Sequence, residues 1–149
     1  MIEGVIIKEL KQYFDDRGKV MHMLSIKDKE FINFGEIYFS TVKPNVIKAW
    51  HRHKVMVLNY VVVYGEIKIV LFDDRVDSKT KGETQEIIIS PENYNLVQVP
   101  AGIWNGFKGI SHHYSIVANC ATLAHSDSEI DRIPFNDKYI PYSWETKNR

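Results

Sequence analysis

Short runs of β-branched and aromatic residues, each ended by a turn sequence, set the pattern of this chain. GVIIKEL, GKVMHML, EIYFSTV, VIKAWH, VLNYVVVYGEIKIVLF, TQEIIIS, NLVQVP and HYSIVANC are rich in Val, Ile, Tyr and Phe, residues that fit a pleated, half-buried surface. Between them stand Asp15-Asp16-Arg17-Gly18, Lys43-Pro44-Asn45, Tyr64-Gly65-Glu66, Asp73-Asp74-Arg75, Ser90-Pro91-Glu92 and Pro100-Ala101-Gly102, all of turn composition. Alternation is clearest in Glu66-Ile67-Lys68-Ile69, which sends both isoleucines to one face of a strand. No stretch keeps a long apolar period of 3.6 residues, and Ile26 to Phe34 is the one place with room for a short helix. Many short strands at near-regular spacing predict an all-β domain, a jelly-roll β-barrel formed by residues 1–149 as one unit. The mouth of such a barrel, where side chains of several strands converge, is the place to expect a pocket.

Composition narrows the class. The chain is 44% hydrophobic, with 19 Lys and Arg against 19 Asp and Glu, so its formal charge is zero. A nucleic-acid backbone reader needs a basic excess, and none is expected here. The single cysteine, Cys120, has no internal partner, which fits a reducing, cytoplasmic setting. Glu3, Lys8 and Glu9 flank a short apolar run at the N-terminus, unlike a secretory signal. The uncharged apolar stretch Val55 to Gly65 falls far short of the ~20 residues of a membrane helix, so no membrane partner is expected.

Two segments carry candidate chemistry. In His51-Arg52-His53 the imidazoles lie two residues apart, so an extended strand points both to one side and Arg52 to the other. Paired imidazoles can exchange protons near neutral pH, or bind a metal. The second segment, Pro100-Ala101-Gly102-Ile103-Trp104-Asn105-Gly106-Phe107, bends the chain between two β-type runs and sets Trp104 and Asn105 at the bend, where a ligand can be met.

His-x-His followed by Gly, then Pro-x-Gly-x-x-Asn, resembles the two motifs of the cupin superfamily. Metal-binding cupins add a glutamate after the second histidine and a third histidine in the second motif. Val55 to Leu58 and Asn105 stand at those places here. Two imidazoles and an amide make a poor divalent site, so no metal ligands and no cofactor are expected. More of the chain is similar to the dTDP-4-dehydrorhamnose 3,5-epimerase family. The matching pieces are Phe14-Asp15-Asp16-Arg17-Gly18, Ile47-Lys48-Ala49-Trp50-His51, Asp73-Asp74-Arg75 with Ser78, Pro100 to Phe107, Asp131 to Asp137 and Ile140-Pro141-Tyr142-Ser143-Trp144. His51-Arg52-His53-Lys54 up to Gly65 also resembles the sugar-nucleotide 3,4-ketoisomerases.

The resemblance implies an isomerase acting beside the keto group of a nucleotide-activated 4-keto-6-deoxy sugar, inverting C3, C5 or both. A ketoisomerase and a non-catalytic sugar-nucleotide binder are the alternatives. It makes His51 the general base, His53 a second proton carrier, and Lys48 and Arg17 holders of the nucleotide's negative charge. Asn105 would donate to a sugar oxygen, with Trp104 beside it. It also implies a homodimer, with apolar edges near Val5 to Ile7 covered by the partner. The catalytic parts depart from the family. Its tyrosine acid falls, without gaps, on Ala118, and its lysine near Leu58 or Asn59. Its nucleoside-binding glutamate falls on His22, and the aspartate of its longer tail has no counterpart after Trp144. Tyr60, and less directly Tyr114, are the phenols expected to replace the donor. The adjacent His112 and His113 read as rim residues.

Overall fold

The alternation read in Glu66–Ile69 runs on through a full strand, and its inward residues are the centre of the molecule. The computed structural model describes residues 1–145. Its strands are β1 (Ile6–Glu9), β2 (Gln12–Asp15), β3 (Gly18–Met21), β4 (Glu36–Val42), β5 (Ile47–His53), β6 (Leu58–Tyr64), β7 (Ile67–Asp73), β8 (Thr84–Ile89), β9 (Asn95–Val99), β10 (Ile103–Gly109), β11 (Ser115–Ala121) and β12 (Ile130–Arg132). Two five-stranded antiparallel sheets, ordered β1-β9-β6-β11-β4 and β12-β5-β10-β7-β8, face each other as a cupin-type jelly roll, and β2–β3 form a separate hairpin. Among the described residues the only helix is a 3₁₀ turn, Asp127–Glu129. The helix expected over Ile26 to Phe34 is instead a series of turns, held by Asp28 accepting from the Ser25 N–H and by the Phe31 N–H donating to the Asp28 carbonyl.

Between the sheets lie Ile67, Ile69 and Leu71 of β7, Leu58, Tyr60 and Val62 of β6, and Val97, Val99, Phe107 and Val117. Burying an aliphatic side chain of this size contributes roughly 1.5–3 kcal/mol. The outer faces are covered too. Val70, Phe72, Trp50 and Trp104 pack under Ile140 and Trp144 of the C-terminal segment. Val61, Leu96 and Ala118 pack with Leu10 and Tyr94, under Met21, Met23 and Leu24. This double cover explains why β6 reads as a continuous apolar run rather than an alternating one.

Two close approaches fix where the strands meet. Gly65, at φ 76°, turns β6 into β7, and a Cβ there would strike Ser115. In β10, a Cβ on Gly106 would run into Ala49 of β5. The β5–β10 register also slips at this point. Asn105 pairs with His51 while Phe107 pairs with Lys48, so β5 holds one extra residue, a bulge. Strict alternation would put Lys48 and His51 on opposite faces, and the bulge brings both to the same cavity. Replacing a strand glycine usually stabilises by about 0.4–1 kcal/mol. Gly106→Ala is expected to do the reverse, costing about 1–3 kcal/mol in a urea titration by forcing β5 from β10; a raised midpoint would show that the approach is not close.

Candidate active site

The cavity opens between the β4 edge of one sheet and the β12–β5 edge of the other. It is about 270 Å³, lined by Tyr38 and Ser40 of β4, Lys48 and His51 of β5, Tyr60 of β6, Asn119 of β11 and Arg132 of β12, with Phe107 and Val117 at its floor.

His51 is held by a chain of hydrogen bonds whose directions can be worked out. Asn105 is buried, 1% exposed, and its Nδ2 donates to the carbonyls of His51 (3.2 Å) and Ile103 (3.3 Å). Its Oδ1 therefore faces Tyr60 and accepts the phenol hydrogen at 3.2 Å. Tyr60 has one hydrogen, so at its contact with His51 Nε2 (3.2 Å) the imidazole is the donor. The neutral ring then carries its hydrogen on Nε2 and its lone pair on Nδ1, which has no hydrogen-bond partner among the described residues. Burial, with the neighbouring His53 ring and the Arg132 guanidinium adding to it, pushes the His51 imidazole down to about 3. At neutral pH it is an uncharged base.

His53 shares the strand face, its ring centre 5.6 Å from that of His51, but lies in an adjoining recess with Glu36, His125 and Arg132. Its Nδ1 donates to Glu129 Oε2 at 2.6 Å. Burial acts to raise the Glu129 carboxyl. The Met56 N–H, the His53 ring and the Val55 N–H outweigh it and hold the group down at about 2. Glu129 thus ties the β5–β6 turn, one imidazole and the tail into one unit.

Other expected residues are placed differently. Trp104 follows strand alternation away from its neighbour Asn105 and sits on the outer face of the sheet, where its Nε1 donates to Asp74 and Arg52 stacks on its ring. It is a packing residue, not a ligand contact. Asn105 spends both amide hydrogens on backbone carbonyls, so it supports the site from behind and has none for a sugar oxygen. Arg17 lies at the tip of the β2–β3 hairpin, paired with Asp15 at 2.6 Å, and is not among the residues lining the cavity. Ala118, the ungapped place of the family tyrosine, packs outward with Val61 and Leu96. The β11 residues that line the cavity are Val117 and Asn119. Tyr114 packs at a tilt against Tyr64, away from the residues lining the cavity, and His113 stacks on the same Tyr64 ring.

Sequence reasoning missed Tyr38, Asn119 and Arg132. Alternation in EIYFSTV puts Tyr38, Ser40 and Val42 on one face, which was a usable signal. Arg132 stood inside a matching tail segment, but only the pairing of Arg132 with His51 across β12 and β5 brings it to the cavity. Lys48 donates to Ser40 at 3.3 Å, whereas the Arg132 guanidinium has no hydrogen-bond or ion-pair partner among the described residues. The cavity therefore joins a neutral base, two phenols and two cations. Among the described residues no group of three or more His, Cys, Asp or Glu is placed to hold a metal ion.

Residues 1–149 match the model of the family described as dTDP-4-dehydrorhamnose 3,5-epimerase. The chain is 32% identical to the spore coat polysaccharide biosynthesis protein SpsL of Bacillus subtilis, over the whole of both chains. It is 33% identical to the probable low-salt glycan biosynthesis epimerase Agl13 of Haloferax volcanii, covering 98% of this chain and 96% of that one. The crystal structure of a dTDP sugar isomerase from Desulfovibrio desulfuricans superposes with a TM-score of 0.94 at 39% identity, over 96% of this chain and 92% of that one. By the match of its whole length, this chain belongs to the dTDP-4-dehydrorhamnose 3,5-epimerase family.

Proposed function

We propose that the cavity epimerises a nucleotide-linked 4-keto-6-deoxy sugar by removing a proton beside the keto group. The observation that carries this reading is the neutral, hydrogen-bonded His51 imidazole at a cavity that also holds two cations. A carbon next to a carbonyl is acidic because the electron pair left behind delocalises onto oxygen as an enolate. A base that takes that proton must be uncharged at working pH and fixed in place. Burial meets the first need, and the Tyr60–Asn105 relay meets the second. Lys48 and Arg132 hold the negative charge of the diphosphate or of the forming enolate. Tyr60, with its hydrogen committed to Asn105, acts by fixing the ring.

The volume of about 270 Å³ falls just below the range of about 300 to 1,000 Å³ common for ligand sites. It suits a single sugar ring, with the nucleoside lying outside on the rim. The epimerase reading is favoured over keto-group migration because His53, the second histidine that migration would use, has its Nδ1 tied to Glu129.

A homodimer and a cytoplasmic site of action belong to the same proposal. Ile6 and Ile7 on the β1 edge, Ile37 and Phe39 on β4, and Tyr13, Phe14 and Val20 on the hairpin are all more than a third exposed, apolar surface that a second copy would cover. Arg17 lies on this hairpin, outside its own chain's cavity, so a diphosphate role for it needs that second copy. No helix among the described residues is long and apolar enough to cross a membrane, and the lone thiol of Cys120 suits a reducing compartment.

Incubation with a dTDP-4-keto-6-deoxy sugar in heavy water, followed by proton NMR, is expected to show deuterium entering at C3, C5 or both, with inversion. His51→Ala should lower the rate by at least about 100-fold. Exchange that survives the substitution unchanged would show that another group is the base. The pH profile gives a second check. The active form of His51 is the neutral one, and its folded value lies near 3, well below the ordinary 6.5. The kcat/KM should therefore stay flat as pH falls from 8 to about 5, the acid limb lying lower still. A limb centred near 6.5 would contradict the buried neutral imidazole.

A further inference from the structure

Inverting one carbon needs a base on one face and a proton donor on the other. The base stands on β5, in the sheet β12-β5-β10-β7-β8. The donor must come from the facing sheet, reach the same cavity, and have a hydrogen to give. Four polar side chains of that sheet line the cavity: Tyr38, Ser40, Tyr60 and Asn119. A serine hydroxyl and a carboxamide are far weaker acids than a phenol. Tyr60 is buried, its hydrogen is held by Asn105 Oδ1, and burial pushes its phenol well above the usual range. Tyr38 is 41% exposed and open to the cavity.

The hydrogen bonds of Tyr38 run in the direction a donor requires. Asn119 Oδ1 accepts from the Asn59 N–H at 3.0 Å, which fixes the amide. Its Nδ2 then donates to the Tyr38 hydroxyl oxygen at 2.9 Å. That oxygen receives a hydrogen bond where negative charge will develop, and its own hydrogen has no acceptor among the described residues. Tyr38 and Asn119 are direct partners in the β4–β11 ladder. The phenol therefore stands one strand over from β11, the strand on which family resemblance sought a tyrosine and from which Val117 and Asn119 line the cavity.

Resting on the epimerase reading above, we propose that Tyr38 is the proton donor opposite His51, with Asn119 as its positioning residue. His51 takes the proton from the carbon beside the keto group, and the C–H electron pair moves onto the keto oxygen as an enolate. The enolate electrons return to form a new C–H bond on the other face with the Tyr38 hydroxyl proton, leaving a phenolate that Asn119 Nδ2 faces. Water in the open cavity then carries the proton from the His51 imidazolium to the phenolate, restoring both groups.

The test separates proton removal from inversion. In heavy water, Tyr38→Phe should lower the rate of stereochemical inversion by about 100-fold or more. Deuterium exchange with retained configuration should continue within about tenfold of the wild-type exchange rate, because His51 still works from its own side. Inversion within a few-fold of wild type overturns the assignment, and so does a folded variant that loses exchange and inversion together. A wild-type protein that neither exchanges nor inverts overturns the epimerase reading itself and this assignment with it. Should the phenylalanine variant fail to fold, 3-fluorotyrosine at position 38 keeps the ring and makes the phenol more acidic. The alkaline limb of inversion should then move to lower pH, and a limb that stays in place overturns the proposal.

Discussion

The carboxamide of Asn105 governs this site. Two backbone carbonyls take its hydrogens, so its oxygen must accept from Tyr60, and the Tyr60 oxygen must accept from His51. Three side chains from β10, β6 and β5 are thereby set in one hydrogen-bonding order that spans both sheets. The consequence is chemical: a buried imidazole with one nitrogen tethered and the other free. Exposed, such a ring would be half protonated near its ordinary value and free to rotate. Here burial removes the charge and the relay removes the rotation.

The fold serves that constraint through close backbone approach and doubled cover. Gly106 lets β10 lie against β5, and the extra residue of β5 turns Lys48 into the cavity beside His51. On the outer face, Trp50 and Trp104 pack under Trp144, so the strand that carries His51 is supported on both sides. Arg52 points outward to Asp74 and Asp131 at 2.9 Å each, joining β5 to β12. That strand in turn presents Arg132 to the cavity. Glu129 does the same for the second histidine. These ties make the segment after β11 part of the site wall rather than a tail.

Much of this was legible in the chain. The strand runs, their turns and the all-β fold follow from β-type composition and Gly/Pro punctuation. The outward turn of Arg52 follows from period-two alternation. His51 and Tyr60 were recognised and do meet. The failures have physical reasons. Trp104 and Asn105 were expected together at a bend that meets a ligand, but both lie within β10, where neighbours face opposite ways. Asn105 was expected to touch sugar, and only the three-dimensional count of its hydrogen bonds shows that it has none to give. The bulge in β5 breaks alternation, and no residue at 48–51 announces it. Tyr38, Asn119 and Arg132 meet His51 through pairing between strands distant in sequence, which a linear reading does not contain.

The central claim is that His51 is held uncharged in one tautomer, with hydrogen on Nε2 and the lone pair on Nδ1. Nitrogen-15 NMR of the histidine-labelled protein, with His51 assigned by substitution, measures this directly across pH 5 to 8. The account predicts a protonated Nε2 resonance and an unprotonated Nδ1 resonance that do not move over that range. A ring that titrates near pH 6.5, or that carries its hydrogen on Nδ1, would contradict it.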